Sequence, residues 1–212
     1  MPVVFVDGVD GAGKTTLIQH LARTLPTQPV HIADPLWNYL PAVTNAADFG
    51  PWVTSTPAEE VAAALIDACI HRLDHIRRHP GSAEPGNVVL VDRGPRTVAA
   101  SARAHIATGH SANAAYDPRP AVKQLTAALM QTAEATACMT AELRVTNYDA
   151  ILYRLSHRER TDVRYLHYLR TFLHHFETDP PWLGVQRIEL DATANITVNV
   201  RIIRKALRLS AH

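Results

Sequence analysis

Residues 3–17 read VVFVDGVDGAGKTTL, and this stretch decides the fold. Its apolar first half is typical of a buried strand. Residues 8–15 then match the spacing GxxxxGK(S/T) of a phosphate-binding loop, and an amphipathic helix opens at Thr16. A strand before the loop and a helix after it are the context that this motif requires. The stretch therefore predicts a strand, a phosphate-binding loop and a helix in direct succession.

The loop offers both backbone and side-chain groups to the phosphates of a nucleotide. Glycines let the chain turn tightly so that successive N–H groups point into one concavity, and the helix N-terminus adds partial positive charge. The predicted ATP-binding residues are Gly8, Asp10, Gly11, Ala12, Gly13, Lys14, Thr15 and Thr16. Lys14 can reach the β- and γ-phosphates and is predicted to be catalytic, while the Thr15 hydroxyl can ligate Mg²⁺. ATP is thus the expected co-substrate and Mg²⁺ the expected cofactor.

A second polar segment follows the apolar residues 88–91. Asp92 and Arg93 follow the predicted strand at its carboxyl end. In α/β sheets, the crevice that binds ligands lies outside the carboxyl ends of the strands. Asp92 can support Mg²⁺ beside Thr15, directly or through water, and Arg93 can clamp an anionic group with its planar guanidinium. A purely structural ion pair at the strand end is the alternative. Next to a phosphate-binding loop, the functional interpretation is favoured.

Length and composition favour one ordinary globular domain over residues 1–212. The formal net charge of +1 gives no global field that would drive the protein onto nucleic acid or an anionic membrane, so neither partner is expected. No apolar run approaches membrane length, and no signal peptide is expected. Cys69 and Cys138 are too few for a disulfide framework and are expected to be free thiols. These features predict a soluble, cytoplasmic protein.

Short apolar segments alternate with longer helical stretches, which predicts an α/β fold with helices on both faces of a parallel sheet of about five strands. The predicted strands are 3–6, 30–33, 88–91, 143–146 and 185–190. The predicted helices are 14–25, 58–79, 96–108, 121–138, 149–156, 163–176 and 196–210. Segments 35–57 and 109–120 lack periodicity and are expected to be irregular, the first as a binding loop and the second as a flap or surface loop.

With these motifs in place, the chain resembles the thymidylate kinase-like family of phosphate-loop (P-loop) nucleoside and nucleotide kinases over nearly its whole length. The opening resembles the family's EGxDGAGKST, residues 66–75 (IDACIHRLDH) resemble its FAADRAQH segment, and Asp92-Arg93 resembles its DRY motif. Residues 140–155 resemble the family's fourth strand and the helix after it. The resemblance implies a three-layer P-loop sandwich with a short helical lid at approximately 154–164.

The resemblance also implies roles for individual residues. It places Arg72 against the acceptor base, Arg93 on the acceptor's phosphate and Asp10 near its sugar, with Thr97 at a family serine. Two further arginines of the lid would close over the transferring phosphoryl group and are expected to be catalytic. These are Arg158 and Arg160. A solvated helix face is the alternative for the lid arginines. By analogy with the family, a homodimer is possible.

The sequence departs from the family at two places. The family's REPGG continuation is replaced by Asp34-Pro35-Leu36-Trp37-Asn38, and Gly94, Ser101 and Ala102 stand where tyrosines and a glutamine help to read the pyrimidine. The pattern of Asp34, Pro35 and Trp37 also resembles the Glu-Pro and tryptophan of deoxynucleoside kinases, in which the acid is the base for a sugar hydroxyl.

These residues leave three functions open. Two are kinases that differ in the molecule that accepts the phosphoryl group, and the third is not a kinase. Arg72 and Arg93 favour a nucleoside monophosphate or nucleotide-like molecule, which needs cations but no general base, and this acceptor is the main prediction. Catalytic Asp34, with Trp37 to stack on a base, favours the hydroxyl of a nucleoside or nucleoside-like metabolite. A nucleotide-binding regulator or slow NTPase is the third possibility. The predicted acceptor-binding residues are Asp10, Asp34, Trp37, Arg72, Arg93 and Thr97.

Overall fold

The computed structural model describes residues 2–25, 29–78, 87–109, 116–157, 162–179, 182 and 185–209. Within these residues five strands form one sheet, in which every neighbouring pair is parallel. The strands are β1 (Val3–Gly8), β2 (Val30–Ile32), β3 (Val88–Asp92), β4 (Cys138–Arg144) and β5 (Gln186–Asp191). Their order is β2-β3-β1-β4-β5. The predicted α/β fold with a five-stranded parallel sheet is therefore confirmed.

Eight α-helices and one short 3-10 helix accompany the sheet in the described part of the chain. The α-helices are α1 (Lys14–Thr24), α2 (Ala46–Ser55), α3 (Ala58–Arg78), α4 (Pro95–Thr108), α5 (Arg119–Ala135), α6 (Tyr148–Ser156), α7 (Val163–Thr178) and α8 (Ile196–Leu209). The 3-10 helix is Leu36–Tyr39. Over the same residues, no helix has both the length and the apolar character needed to cross a bilayer.

The strand order places the end of β1 at the functional edge of the sheet. The connection after β1 passes over β3 to reach β2, whereas the connection after β3 passes over β1 to reach β4. The connections after β1 and after β3 thus run toward opposite edges of the sheet. Open parallel sheets bind their ligands at the point where this direction reverses, and here that point is beside β1. The loop that follows β1 lies at this point.

Strand β1 separates two apolar clusters because its side chains alternate between the two faces of the sheet. Val4 and Val6 join a cluster that includes residues of α1 and α8, whereas Val3 and Phe5 join a cluster that includes residues of α3 and α5. All six residues of the strand are buried. A continuous apolar run of this kind is typical of a central strand of a parallel sheet, and it fixes the base of the loop.

The prediction for the fourth strand is wrong, because β4 is Cys138–Arg144 rather than 143–146. The preceding helix ends at Ala135 and not at residue 138. The apolar pattern is interrupted by Glu142, which is only 1% exposed although it lies inside the strand. Its carboxylate is paired with Arg96 (Nε–Oε1 3.0 Å), Arg144 (Nη2–Oε2 3.2 Å) and Arg187 (Nε–Oε2 2.9 Å). Buried charges need such partners, and two of the three, Arg96 and Arg187, come from distant segments.

The segment 35–57 is more regular than predicted, since it contains the 3-10 helix and α2. The Asn45 side chain caps α2 by accepting hydrogen bonds from the backbone N–H groups of Ala47 (2.8 Å) and Asp48 (3.3 Å). Pro51 lies inside this helix. A proline at an interior position argues against a helix in sequence, because it removes one backbone donor. The helix forms although this donor is lost. Asn45 caps its start, and Phe49 and Trp52 pack against the second apolar cluster.

Candidate functional site

The phosphate loop, residues 8–15, joins β1 to α1. Gly11 and Gly13 adopt left-handed backbone angles, with φ of 82° and 91°, which side-chain-bearing residues rarely adopt. Gly13 is the N-cap of α1, and among the described residues no side chain caps this helix. The first N–H groups of α1 are therefore left facing the loop, and an anion is the kind of ligand that they bind best.

Lys14 folds back against the loop from the first position of α1. Its ammonium group donates hydrogen bonds to the carbonyl oxygens of Gly8 and Val9, both at 2.9 Å, and lies 3.8 Å from Asp10 Oδ1. The side chain is 6% exposed, and burial, together with the nearby Arg93 guanidinium, lowers the pKa of Lys14 to about 8. A phosphate placed in the loop would favour the charged form of this lysine, because it supplies the opposite charge.

Thr15 and Asp92 meet where the phosphate loop approaches the end of β3. The Thr15 hydroxyl donates to Asp92 Oδ2 at 2.8 Å, and Asp92 Oδ1 is buried without a hydrogen-bond partner in the described structure. A carboxylate oxygen and a hydroxyl are the hard ligands that Mg²⁺ prefers. The described residues hold no cluster of three or more metal-binding His, Cys, Asp or Glu side chains. The pair therefore fits a Mg²⁺ that keeps several waters and shares the phosphates of a nucleotide.

Arg93 projects from the end of β3 toward the phosphate loop. Its Nη2 atom lies 2.7 Å from Asp10 Oδ1, and the Asp10 carboxylate raises the pKa of Arg93. The Tyr165 hydroxyl, on α7, donates to Asp10 Oδ2 at 3.1 Å. Asp10 thereby links the loop, the end of β3 and α7. The Arg93 side chain remains 35% exposed, so a ligand can still reach it.

Asp34 lies two residues beyond β2, at the same edge of the sheet. Ile32 of β2 is level with Leu90 of β3, and continuing this register by two residues places Asp34 beside Asp92. The Asp34 side chain is exposed. Its carboxylate adds to burial in raising the pKa of Tyr39, so the two side chains are close. We call the space bordered by Asp10, Asp34, Arg93 and Tyr165 the edge crevice. Trp37 is half-buried against the second apolar cluster.

The structure does not bring Arg72 into the edge crevice with the other predicted acceptor residues. The Arg72 side chain is 1% exposed, and Nη1 donates to the Asp92 carbonyl oxygen at 2.9 Å while Nη2 donates to that of Arg93. Arg93 has a left-handed φ of 57°. Such a residue costs about 1–2 kcal/mol. Hydrogen bonds from a charged donor contribute about 1.5–3 kcal/mol each, so the two bonds outweigh that strain.

Thr97 is also buried, and it joins the phosphate loop to α4. Its hydroxyl oxygen accepts a hydrogen bond from the Gly8 N–H at 3.0 Å, and its own N–H donates to Asp7 Oδ1 at 2.8 Å. Asp7 thus caps α4 from a neighbouring strand, because the residue at the N-cap is Gly94 and has no side chain. A Cβ atom on Gly94 would lie 2.5 Å from Asp7 Oδ2. Burial raises the pKa of Asp7 to about 6.

Sequence reasoning placed Asp7 only within the motif, and it missed the tyrosines of α7 and their contacts with α4. The Tyr168 hydroxyl lies 2.7 Å from Ser101 Oγ, and its ring centroid is 4.6 Å from that of His105. Burial lowers the pKa of His105 to about 4, so this imidazole is neutral near pH 7. Tyr165 and Tyr168 are three residues apart on α7, and this spacing after the predicted lid was the available signal.

The predicted lid is described only at its two ends. Arg158 and Arg160 lie outside the described residues. At the near end, Arg154 of α6 donates from Nη1 to the carbonyl oxygens of Gly11 (3.2 Å) and Ala192 (2.9 Å). The helix before the lid is therefore attached directly to the phosphate loop.

Comparison with known proteins identifies the fold. No protein-family model and no curated protein matches the chain. Among solved structures, the chain is similar to the YorR protein of Bacillus subtilis in complex with phosphorylated GDP, with a TM-score of 0.60 and 12% identity over 99% of this chain and 98% of that chain. It is also similar to deoxyadenosine kinase from M. mycoides with bound dATP, with a TM-score of 0.58 and 14% identity over 97% of this chain and 98% of that chain.

Identities this low carry the fold and nothing finer, so membership of the thymidylate kinase-like family stays a prediction. The shared architecture and the phosphate loop at the end of β1 agree on the type of fold. The chain has an α/β P-loop fold, which it shares with both of these proteins.

Proposed function

We propose that the protein transfers a phosphoryl group from ATP to a hydroxyl group of a nucleoside or nucleoside-like small molecule. The observation that carries the choice of acceptor is the pairing of Arg93, the cation expected to bind an acceptor's phosphate, with Asp10 at 2.7 Å. The similarity in fold to a deoxyadenosine kinase supports the same general chemistry.

The charges around the edge crevice argue for a neutral acceptor. Asp10, Asp34 and Asp92 lie at this edge, and Arg93 is already paired with Asp10 at 2.7 Å. With Arg72 donating to backbone carbonyls, a monophosphate would bring its negative charge next to these three carboxylates, and the nearby cations Lys14 and Arg93 each already face Asp10. A neutral hydroxyl avoids that repulsion, but it has a proton to lose. The exposed Asp34 carboxylate can accept a proton, as a general base must.

The proposed reaction assigns one task to each group. The loop N–H groups and Lys14 orient the phosphates of ATP, and Thr15 and Asp92 would hold Mg²⁺, which neutralises phosphate charge when bound. The acceptor oxygen forms a bond to the γ-phosphorus as the bond from that phosphorus to the bridging oxygen breaks. ADP leaves with the electron pair of the broken bond, and the hydroxyl proton passes to Asp34. Positioning and electrostatics supply most of the acceleration in such transfers.

A nucleoside monophosphate is the second candidate acceptor. It is favoured by Arg93, whose side chain is 35% exposed and can exchange its contact with Asp10 for a phosphate. In that reaction no general base is needed, because the acceptor oxygen is already ionised near neutral pH. Asp34 would then serve only to bind or to exclude molecules.

The test is acceptor-dependent ADP release, measured with nucleosides, their monophosphates and nucleoside-like metabolites. We expect a hydroxyl acceptor to stimulate release, and Asp34→Asn to lower kcat for it by about 10²–10⁴-fold, the usual contribution of a general base. Asp67→Asn, which changes an exposed aspartate of α3, is the matched control and should behave like the wild type. Turnover on a monophosphate that survives Asp34→Asn would establish the second candidate. Equal ADP release with and without every acceptor would indicate a regulator or slow NTPase.

A further inference from the structure

Arg72 is a charged side chain that is almost completely buried, with 1% of its surface exposed. It lies in the second half of α3 and is the largest fully buried side chain of the described residues. Its guanidinium contacts the Asp92 and Arg93 carbonyl oxygens and lies beside the Cys69 thiol. With 1% of the side chain exposed, almost none of this guanidinium is open to a ligand. Any effect of Arg72 on the acceptor must therefore pass through the atoms that it holds.

The backbone angles of residue 93 set the orientation of the two carbonyl groups that Arg72 binds. In an extended strand, successive carbonyl groups point to opposite sides. Here the carbonyl oxygens of residues 92 and 93 both accept from one guanidinium, and φ of residue 93 is 57°. The planar fork of an arginine presents two parallel donors, which suits two converging acceptors. Arg72 and the left-handed conformation of Arg93 thus stabilise each other.

This local backbone determines where the Arg93 side chain goes. The Arg93 N–H still donates to the Val6 carbonyl oxygen at 3.2 Å, so the residue begins in register with β1. Its side chain then leaves the turn toward Asp10, 2.7 Å away, while the next residue, Gly94, is the N-cap of α4. An extended residue 93 would send its side chain in another direction.

We propose that Arg72 is a positioning residue, which places the Arg93 guanidinium in the edge crevice through the backbone of residue 93 and never touches the acceptor. The inference rests on the proposed function for one of its two measurements, the KM for the acceptor. The other measurement, the backbone conformation of residue 93, does not depend on that function. It contrasts with direct recognition of the acceptor base by Arg72, which the family resemblance implies.

A double-mutant cycle separates the two roles. Arg72→Met should raise the KM for the acceptor at least about tenfold, within the range of coupling between residues of one network. In an Arg93→Ala background, Arg72→Met should change that KM no further, because its only route to the acceptor has been removed. Additive effects of the two substitutions would overturn the proposal, since they would mean that Arg72 contacts the acceptor independently. Arg78→Met, at an exposed arginine of the same helix, is the control and should leave the KM unchanged.

A second measurement does not depend on turnover. In a crystal structure of Arg72→Met, residue 93 should leave the left-handed region and its side chain should separate from Asp10. If Arg72→Met does not fold, Arg72→Lys provides the test, because it keeps the charge but loses the planar fork. A residue 93 that stays left-handed in the folded variant would overturn the inference. If the wild type shows no acceptor-dependent ADP release, the proposed function fails, while this backbone measurement still decides the role of Arg72.

Discussion

The phosphate loop and the edge crevice meet at one edge of the sheet, but they are built in different ways. The loop takes its ligand-facing groups from consecutive residues, 8–15, and its shape depends on local backbone angles. The crevice takes Asp34, Arg93 and Tyr165 from three separate elements, and Arg93 depends on a buried arginine of a fourth. A contiguous motif can therefore be recognised in sequence, whereas a crevice of distant residues exists only after folding.

The junction between the two regions is formed by Asp7 and Thr97. Asp7 ends the apolar run of β1 and caps α4, and Thr97 of α4 accepts the N–H of Gly8. The start of the loop and the helix that follows Arg93 thus share two buried hydrogen bonds. Substitutions in the loop, in the junction and in the crevice should consequently have separable effects, and four predictions test this separation.

The largest effect is expected from Lys14→Met. Removing one preorganised charge that faces the transferring group typically costs about 10²–10³-fold in kcat. The acceptor KM should be unchanged, because the crevice does not depend on Lys14 for its shape. Initial rates of ADP release at saturating acceptor measure kcat, and Lys123→Met, at an exposed lysine of α5, is the control. An acceptor KM that rises as much as kcat falls would contradict the separation of the two regions.

Asp7→Asn should stabilise the protein above about pH 6. The folded-state pKa of about 6 lies above the ordinary aspartate value of 3.8, so folding favours the protonated form. The contribution of Asp7 to stability is complete below about pH 3.8 and is lost as pH rises through about 6. At about 1.4 kcal/mol for each pKa unit, the loss amounts to about 3 kcal/mol.

Urea unfolding of wild type and Asp7→Asn between pH 4 and pH 8 checks this sign, since the asparagine has no charge to lose. The two proteins should differ most at the alkaline end and converge toward about pH 4. A difference that is constant across this range would show that folding does not raise the pKa of Asp7.

Thr97→Val should loosen the junction itself. The buried Gly8 N–H loses its acceptor, which costs about 1–3 kcal/mol in the free energy of unfolding. Because the hydroxyl connects both regions, the KM values for ATP and for the acceptor should rise together. Thr97→Ser keeps the hydroxyl and serves as the control. A change confined to one of the two KM values would show that the hydroxyl does not couple the loop to the crevice.

The smallest effect is expected from Gly13→Ala. A Cβ atom there meets no atom within 4 Å, so the substitution adds only the strain of a left-handed alanine at φ 91°. That strain costs about 1–2 kcal/mol in the free energy of unfolding. The KM for ATP should rise while the KM for the acceptor stays constant, because the altered turn belongs to the loop alone. Unfolding in urea and both KM values provide the check, and a matching rise in acceptor KM would contradict it.

Regular alternation of apolar segments was enough to predict most of the architecture. Strands near residues 3, 30, 88 and 185 follow from short apolar runs between helical stretches, and the structure confirms them. The exception is β4, where Glu142 interrupts the pattern. The charge is acceptable there because Arg96 and Arg187 reach it from α4 and β5. No local pattern contains that information, so the strand was placed about five residues too late.

For the site, Asp10, Lys14, Thr15 and Asp92 were recognised together, and the structure places them together. Their assigned roles stay predictions. Arg72 shows the limit of the same reasoning, since an arginine on a helix can face a ligand or a backbone turn with the same sequence around it. Tyr165 illustrates the opposite case, because its contact with Asp10 spans 155 residues of chain.

By itself, the sequence determined the phosphate loop, its strand and its helix, because glycine conformations, a lysine and a helix N-terminus act over a few neighbouring residues. Tertiary structure alone decided which cations remain available to a second ligand. Whether Arg72 or Arg93 is exposed depends on the packing of α3 against the turn after β3, because the buried Arg72 guanidinium donates there to two backbone carbonyl groups.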